Sequence, residues 1–139
     1  MLLAEDFPDF MERLLDLLAP FGLNIAAASN GADAIDYVRD LTNPLHLLIT
    51  DLDMPKRTGW HVIEAVRKHR GPDVPIIMQT GEATYPWVKV QAKELGIVLI
   101  HKPDIDELLI PAVCRALDLP PVSPQRRQAG SDANGAAAS

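Results

Sequence analysis

Five short apolar runs recur along this chain, each followed by a segment of helical length and spacing, and that alternation restricts the fold more than any other feature. The runs occupy residues 1–4, 24–28, 45–50, 75–79 and 98–100. Each is nearly uncharged, too short for a helix, and ended by a polar or small residue. That is the pattern of strands buried on both faces of a parallel sheet. Between the runs, Phe10, Leu14, Leu17, Leu18 and Phe21 form one helical stripe, with Asp9 and Glu12 placed as an N-terminal capping pair. Ser29-Asn30-Gly31 is a turn and cap ahead of Ala34, Ile35 and Val38. Gly59 opens a third helix that turns Trp60, Ile63 and Val66 to the sheet, and Pro86 starts a fourth that ends near Gly96. A fifth runs from about residue 105 to 117, and Pro111 within it is expected to kink or delay it. Such alternation implies right-handed crossovers and a doubly wound α/β fold, a five-stranded parallel sheet with helices on both faces.

Composition narrows the partners. The 139 residues carry 13 Lys+Arg against 19 Asp+Glu, a net charge of −6, which argues against nucleic acid or an anionic membrane surface, since both demand clustered cations. The single cysteine, Cys114, excludes an internal disulfide and a multi-cysteine zinc site, and fits a reducing cytosol; it sits on the apolar stripe of the fifth helix and reads as core. His46, His61, His69 and His101 have no partner at metal-ligand spacing. No apolar run approaches the roughly 18–20 residues of a membrane span, and Met-Leu-Leu-Ala ahead of Glu5 is too short for a signal-peptide core. The expected organisation is one cytoplasmic domain over residues 1–118. Residues 119–139, with Pro120, Pro121 and Pro124 followed by Gln, Arg, Ser, Gly and Ala, read as a flexible tail.

In an open parallel sheet, ligands bind at the carboxyl ends of the strands. Here the first strand ends in Glu5-Asp6, the third in Thr50-Asp51-Leu52-Asp53, the fourth in Thr80-Gly81-Glu82 and the fifth in His101-Lys102-Pro103. Glu5, Asp6 and Asp51 would therefore lie together, repelling one another unless a cation sits among them. An all-oxygen cluster of this kind suits Mg²⁺. Lys102 adds a fixed positive charge and Thr80 a hydroxyl. A divalent cation, a lysine and a hydroxyl around one carboxylate are the parts needed to transfer a phosphoryl group onto that carboxylate, with Asp51 as the nucleophile. Taken singly, each residue is as readily a turn, a cap or a solvated loop side chain. Their joint occurrence on four of five strand ends is what points to one reaction.

These motifs resemble the receiver domain of two-component response regulators, in family order and over nearly all of residues 1–118. Asp51-Leu-Asp-Met-Pro with Gly59 resembles the phosphoacceptor segment D-x-x-M-P-x-x-x-G; Glu5-Asp6 resembles the acidic pair after the first strand, Pro75-Ile-Ile-Met-Gln-Thr80 the fourth strand with its hydroxyl residue, and Lys102-Pro103 the family's Lys-Pro. The resemblance implies the flavodoxin-like strand order 2-1-3-4-5, for which a chemotaxis receiver is a standard example. It implies that Asp51 accepts phosphate from a sensor histidine kinase or a histidine phosphotransfer protein. Asp6 would bind Mg²⁺ directly, Glu5 mainly through water, and Asp53 through its backbone carbonyl. Thr80 and Lys102 would hold the phosphoryl oxygens, while Asp53 and Glu82 would influence the lifetime of the acyl phosphate.

The readout departs from the family pattern. Leu99 stands where receivers usually carry Tyr or Phe, three residues before the lysine, and Pro111 falls in the helix that usually forms the output and dimer surface. Tyr85 and Trp87 are the aromatic residues that could take over signalling at the fourth helix. The expected function is a stand-alone receiver that binds a downstream protein when phosphorylated, or relays the phosphoryl group, with a weak homodimer left open. Two alternatives stand beside it. Leu48-Ile-Thr-Asp51-Leu-Asp53 also resembles the nucleophile and acid pair of haloacid-dehalogenase-type phosphatases, though those carry their second acidic pair after the lysine. A phosphorylation-independent adaptor with a receiver-like fold is the other.

Overall fold

A computed structural model describes residues 1–54, 56, 58–81 and 86–120. Glu82, Tyr85 and residues 121–139, which include nearly all of the expected tail, lie outside the described residues. The elements are β1 (Leu2–Ala4), α1 (Pro8–Leu18), β2 (Ala26–Ala28), α2 (Gly31–Arg39), β3 (Leu48–Asp51), α3 (Gly59–Arg70), β4 (Ile76–Thr80), α4 (Pro86–Glu94), β5 (Val98–His101) and α5 (Ile105–Leu117). Two 3₁₀ turns, Ala19–Phe21 and Lys102–Asp104, follow α1 and β5. The strands form one parallel sheet in the order 2-1-3-4-5.

Alternation along the strands divides the core in two. Leu2, Ala4, Leu48, Ile76 and Met78 face α2, α3 and α4, packing on Ala34, Val38, Val62, Ile63, Val66 and Val88. Leu3, Ile49, Ile77 and Ile100 face α1 and α5, packing on Leu14, Leu18, Ile105, Leu109 and Val113. Cys114 is buried, as its place on the α5 stripe requires. Asn30 caps α2 as expected, its side chain accepting from the Asp33 N–H at 2.8 Å.

Two local expectations are corrected. Only the central strands are buried on both faces: β2 and β5 are edges, each with a partner strand on one side only among the described residues, and Ala27 and Val98 are exposed. Asp9 and Glu12 do not cap α1. The helix begins at Pro8, with Phe7 at the N-cap position and no side-chain cap; proline suits that first position because its missing N–H would have had no helical partner. The carboxylate that does take a backbone N–H there is Glu5, whose Oε2 accepts from Phe7 at 2.9 Å. As for the fifth helix, α5 starts at Ile105 and continues as helix past Pro111 to Leu117, so the proline does not end it. Pro111 lies on the exposed side, where the freed carbonyl one turn earlier can be met by water.

Candidate functional site

The apolar row facing α1 and α5 turns polar at the carboxyl ends of the strands. Two residues beyond Leu3 stands Glu5; two beyond Ile49, Asp51; two beyond Ile77, Gln79; two beyond Ile100, Lys102. Because side chains alternate with a period of two, these four continue the row and converge on one side of the sheet edge. Asp51 and Gln79 are direct register partners.

Glu5 and Asp51 are both buried, at 1% and 4% exposure, while Asp6 is exposed. Ligand oxygens of Glu5, Asp6 and Asp51 all lie within 4.8 Å of one another. The Lys102 ammonium spans the two buried acids, 3.1 Å from Glu5 Oε1 and 3.2 Å from Asp51 Oδ2. Its nitrogen also lies 4.6 Å from the centre of the Phe10 ring, which α1 presents from below. Gln79 Nε2 donates to Glu5 Oε1 at 3.2 Å. An open groove of about 460 Å³, bordered by Asp6, Met11, Leu15, Ala28 and Ser29, adjoins the acids on the β2 side.

These contacts set the electrostatics. Burial pushes the Asp51 carboxyl up to about 7, the negative charge of Glu5 pushes the same way, and Lys102 opposes both. Burial disfavours the Lys102 ammonium, but Asp51 and Glu5 outweigh it and raise its pKa above the usual lysine value. Three clustered carboxylates with one lysine remain short of positive charge. Oxygen donors in that arrangement fit a hard divalent cation such as Mg²⁺, with Asp6 on the open side.

The loop after Asp51 is shaped by contact with its own backbone. Gly59, the first residue of α3, donates its N–H to the Leu52 carbonyl at 2.8 Å and leaves no space for a Cβ against the Asp51 carbonyl. This is the physical reason for a glycine eight residues after the acid. Thr50 Oγ1 donates to the same Asp51 carbonyl at 3.0 Å.

The structure thus brings together Glu5, Asp6, Asp51 and Lys102. Thr80 is fully buried at the same edge, one residue past the register partner of Asp51 and paired with His101. Asp53 is exposed in the following loop. Leu99 is half-buried on the opposite face of the sheet, packed toward α2, α3 and α4. Trp87 is 56% exposed on α4, its ring 6.5 Å from that of Trp60 at the start of α3. Gln79 was not among the expected site residues. Its signal was available: it follows Ile77 by the same two-residue step by which Asp51 follows Ile49.

Comparison with known proteins decides the family. The family model of the response regulator receiver domain matches residues 1–113. This chain belongs to the response regulator receiver family. The transcriptional regulatory protein DltR of Streptococcus agalactiae is 37% identical over 112 residues, covering 78% of this chain and 48% of that protein. The chain therefore spans about half the length of that curated relative. A receiver domain of a signal transduction histidine kinase from Syntrophus aciditrophicus superposes with a TM-score of 0.70 at 30% identity, covering 84% of this chain and 88% of that one. A CheY-like receiver from Methanospirillum hungatei, at 21% identity, shares the fold with a TM-score of 0.75 over 93% of this chain and 96% of its own. The receiver fold and its place in two-component signalling follow. Among the described residues, no helix is long and apolar enough to cross a membrane.

Proposed function

We propose that this receiver accepts a phosphoryl group on Asp51 from a phosphohistidine of a sensor kinase or phosphotransfer protein. The observation that carries the reading is the Asp51 carboxylate itself: buried, clustered with Glu5 and Asp6, and held by the Lys102 ammonium at 3.2 Å. Asp6, Glu5, Asp51 and the backbone carbonyl of Asp53 would hold Mg²⁺. When bound, that ion supplies positive charge against the acids and the phosphoryl oxygens.

An ionised Asp51 oxygen attacks phosphorus, the P–N bond to the donor imidazole breaks, and the bonding electron pair leaves with the imidazole. The product is an acyl phosphate. Lys102 stabilises the added negative charge by exchanging its Asp51 contact for a phosphoryl oxygen, and the Thr80 hydroxyl donates to another. Asp53 and Glu82 tune the lifetime of the product. The state is passed on by phosphorylation-dependent protein binding or by relay, with Thr80, Leu99, Trp87 and Tyr85 as the readout positions. On the stand-alone reading the target is a separate cytoplasmic protein, and the net charge of −6 favours protein over DNA in that role. The phosphatase alternative needs Asp53 as its acid, and Asp53 is exposed and outside the carboxylate cluster.

Intact mass after incubation with acetyl phosphate and Mg²⁺ tests the reading. One labile phosphoryl adduct is expected, lost in Asp51→Asn and without metal. Steady phosphate release with no adduct would support the phosphatase instead. Neither adduct nor release, with a kinase donor failing as well, would support the adaptor.

A further inference from the structure

Gln79 plays no part in that chemistry, yet its surroundings are unusual for a residue on a central strand. It is completely buried in β4, on the face that turns Ile77 toward α1 and α5. Asp51 pairs with it on one side and Ile100 on the other. Its Nε2 donates to Glu5 Oε1 at 3.2 Å, while its buried Oε1 has no hydrogen-bond partner among the described residues. Reversing the amide would set two acceptor oxygens against each other at Glu5, so this orientation is the one the site requires. A buried acceptor without a donor costs stability. Leu or Met would avoid that cost on a strand whose preceding residues are Ile76, Ile77 and Met78. What the amide adds in exchange is one hydrogen bond, to Glu5.

That bond gains its meaning from what Lys102 has to do. Glu5 Oε2 is fixed by the Phe7 N–H, and among the described residues Oε1 has two side-chain donors, Gln79 and Lys102. When a phosphoryl group occupies Asp51 and the Lys102 ammonium turns to its oxygens, Gln79 is the side-chain donor that Glu5 keeps. We propose that Gln79 is a positioning residue for Glu5: it holds Oε1 beside Asp51, so that Glu5 stays directed at the cation while Lys102 changes partner. The proposal rests on the receiver reading of Asp51 and Mg²⁺. With an apolar side chain at position 79, Glu5 retains Lys102 as its one side-chain donor. The lysine is then held back from the phosphoryl group, and the carboxylate is less well fixed for the cation.

A double-mutant cycle on the full chain tests this, using Gln79→Met, Glu5→Gln and the pair. Calorimetric titration with MgCl₂ alone gives the affinity, intact mass with acetyl phosphate at saturating Mg²⁺ gives the rate of adduct formation, and the melting temperature reports the fold. Gln79→Met should weaken Mg²⁺ binding about tenfold and slow adduct formation, with an unchanged or higher melting temperature. In the Glu5→Gln background the same substitution should change Mg²⁺ affinity by less than about twofold, because the group it acts through is gone. Equal effects in both backgrounds, or a lowered melting temperature with unchanged Mg²⁺ affinity in both Gln79→Met and Gln79→Leu, would overturn the proposal. Failure of the receiver reading looks different. A wild-type chain that neither binds Mg²⁺ nor forms the adduct removes that reading and this proposal together, whereas a wild type that does both while Gln79→Met matches it removes the proposal alone.

Discussion

Gly59 lies directly against the backbone of Asp51: a Cβ at position 59 would collide with the Asp51 carbonyl oxygen and stand 3.1 Å from the Leu52 Cα. Both atoms are main chain, so no side-chain rotation relieves the contact. Gly59→Ala therefore pushes the first turn of α3 away from the end of β3. Alanine gains about 1 kcal/mol in helix propensity over glycine, but overpacking against fixed backbone costs roughly 1–3 kcal/mol. A net loss in urea denaturation is expected, together with weaker Mg²⁺ binding, because the backbone that carries Asp51 and Asp53 is displaced. A Gly59→Ala chain as stable as wild type would show that α3 can yield at no cost.

The raised Asp51 pKa makes stability depend on pH in a defined direction. Burial and Glu5 lift it from the ordinary 3.8 to about 7, so the folded state binds this proton more tightly than the unfolded chain does. The stabilisation from this group is complete below 3.8 and is lost as pH rises through about 7. Urea midpoints in EDTA should therefore fall across that window in wild type and stay flatter in Asp51→Asn, which should be the more stable of the two at pH 8. Adding Mg²⁺ at pH 8 should raise the wild-type midpoint, since a ligand of the native state stabilises it by mass action, and should do less for Asp51→Asn. A wild-type midpoint that rises with pH would reverse the assignment.

The polar ends of β1, β3 and β5 are legible in the sequence because Glu5, Asp51 and Lys102 each break an otherwise apolar run, and a parallel sheet brings such breaks to one edge. Gln79 is hidden by the same logic, because it ends an apolar run. Only the β3–β4 register shows that it stands opposite Asp51 and on the same face. The helices were legible from their periodicity, but the start of α1 was not: Asp9 and Glu12 have the spacing of a cap, while the backbone N–H there is taken by Glu5, which follows the strand. Nor does alternation of runs and helices reveal which strands are edges, so the exposure of Ala27 and Val98 had no signal in the local pattern.

Lys102 and the proposed Mg²⁺ would compete for the same oxygens. Its nitrogen is 3.1 Å from Glu5 and 3.2 Å from Asp51, so it already supplies part of the charge a cation would bring. Lys102→Met removes one positive charge from beside the proposed ligands, and screened Coulomb energy at such distances corresponds to roughly tenfold tighter Mg²⁺ binding. Adduct formation with acetyl phosphate should nevertheless slow, because nothing replaces the ammonium on the phosphoryl oxygens. Opposite signs in the two measurements are the expected signature. Weaker binding and slower reaction together would mean that Lys102 mainly orders the acids.

Pro111 sits in the middle of α5 and has no N–H to give the Glu107 carbonyl one turn earlier. The helix nonetheless continues to Leu117, held by Leu109, Ala112 and Val113, which are buried against the sheet. Tertiary packing here overrides a local preference that costs an isolated helix about 3 kcal/mol. Part of that cost persists in the folded chain, because Pro111 is exposed and offers no compensating burial. Pro111→Ala should therefore stabilise the protein by about 1–3 kcal/mol in urea denaturation. Proline also restricts the unfolded chain, and losing that restriction takes back a few tenths of a kcal/mol up to about 1. A Pro111→Ala chain less stable than wild type would mean that α5 is bent at this position to fit the sheet, and that straightening it disturbs the packing of Leu109 and Val113.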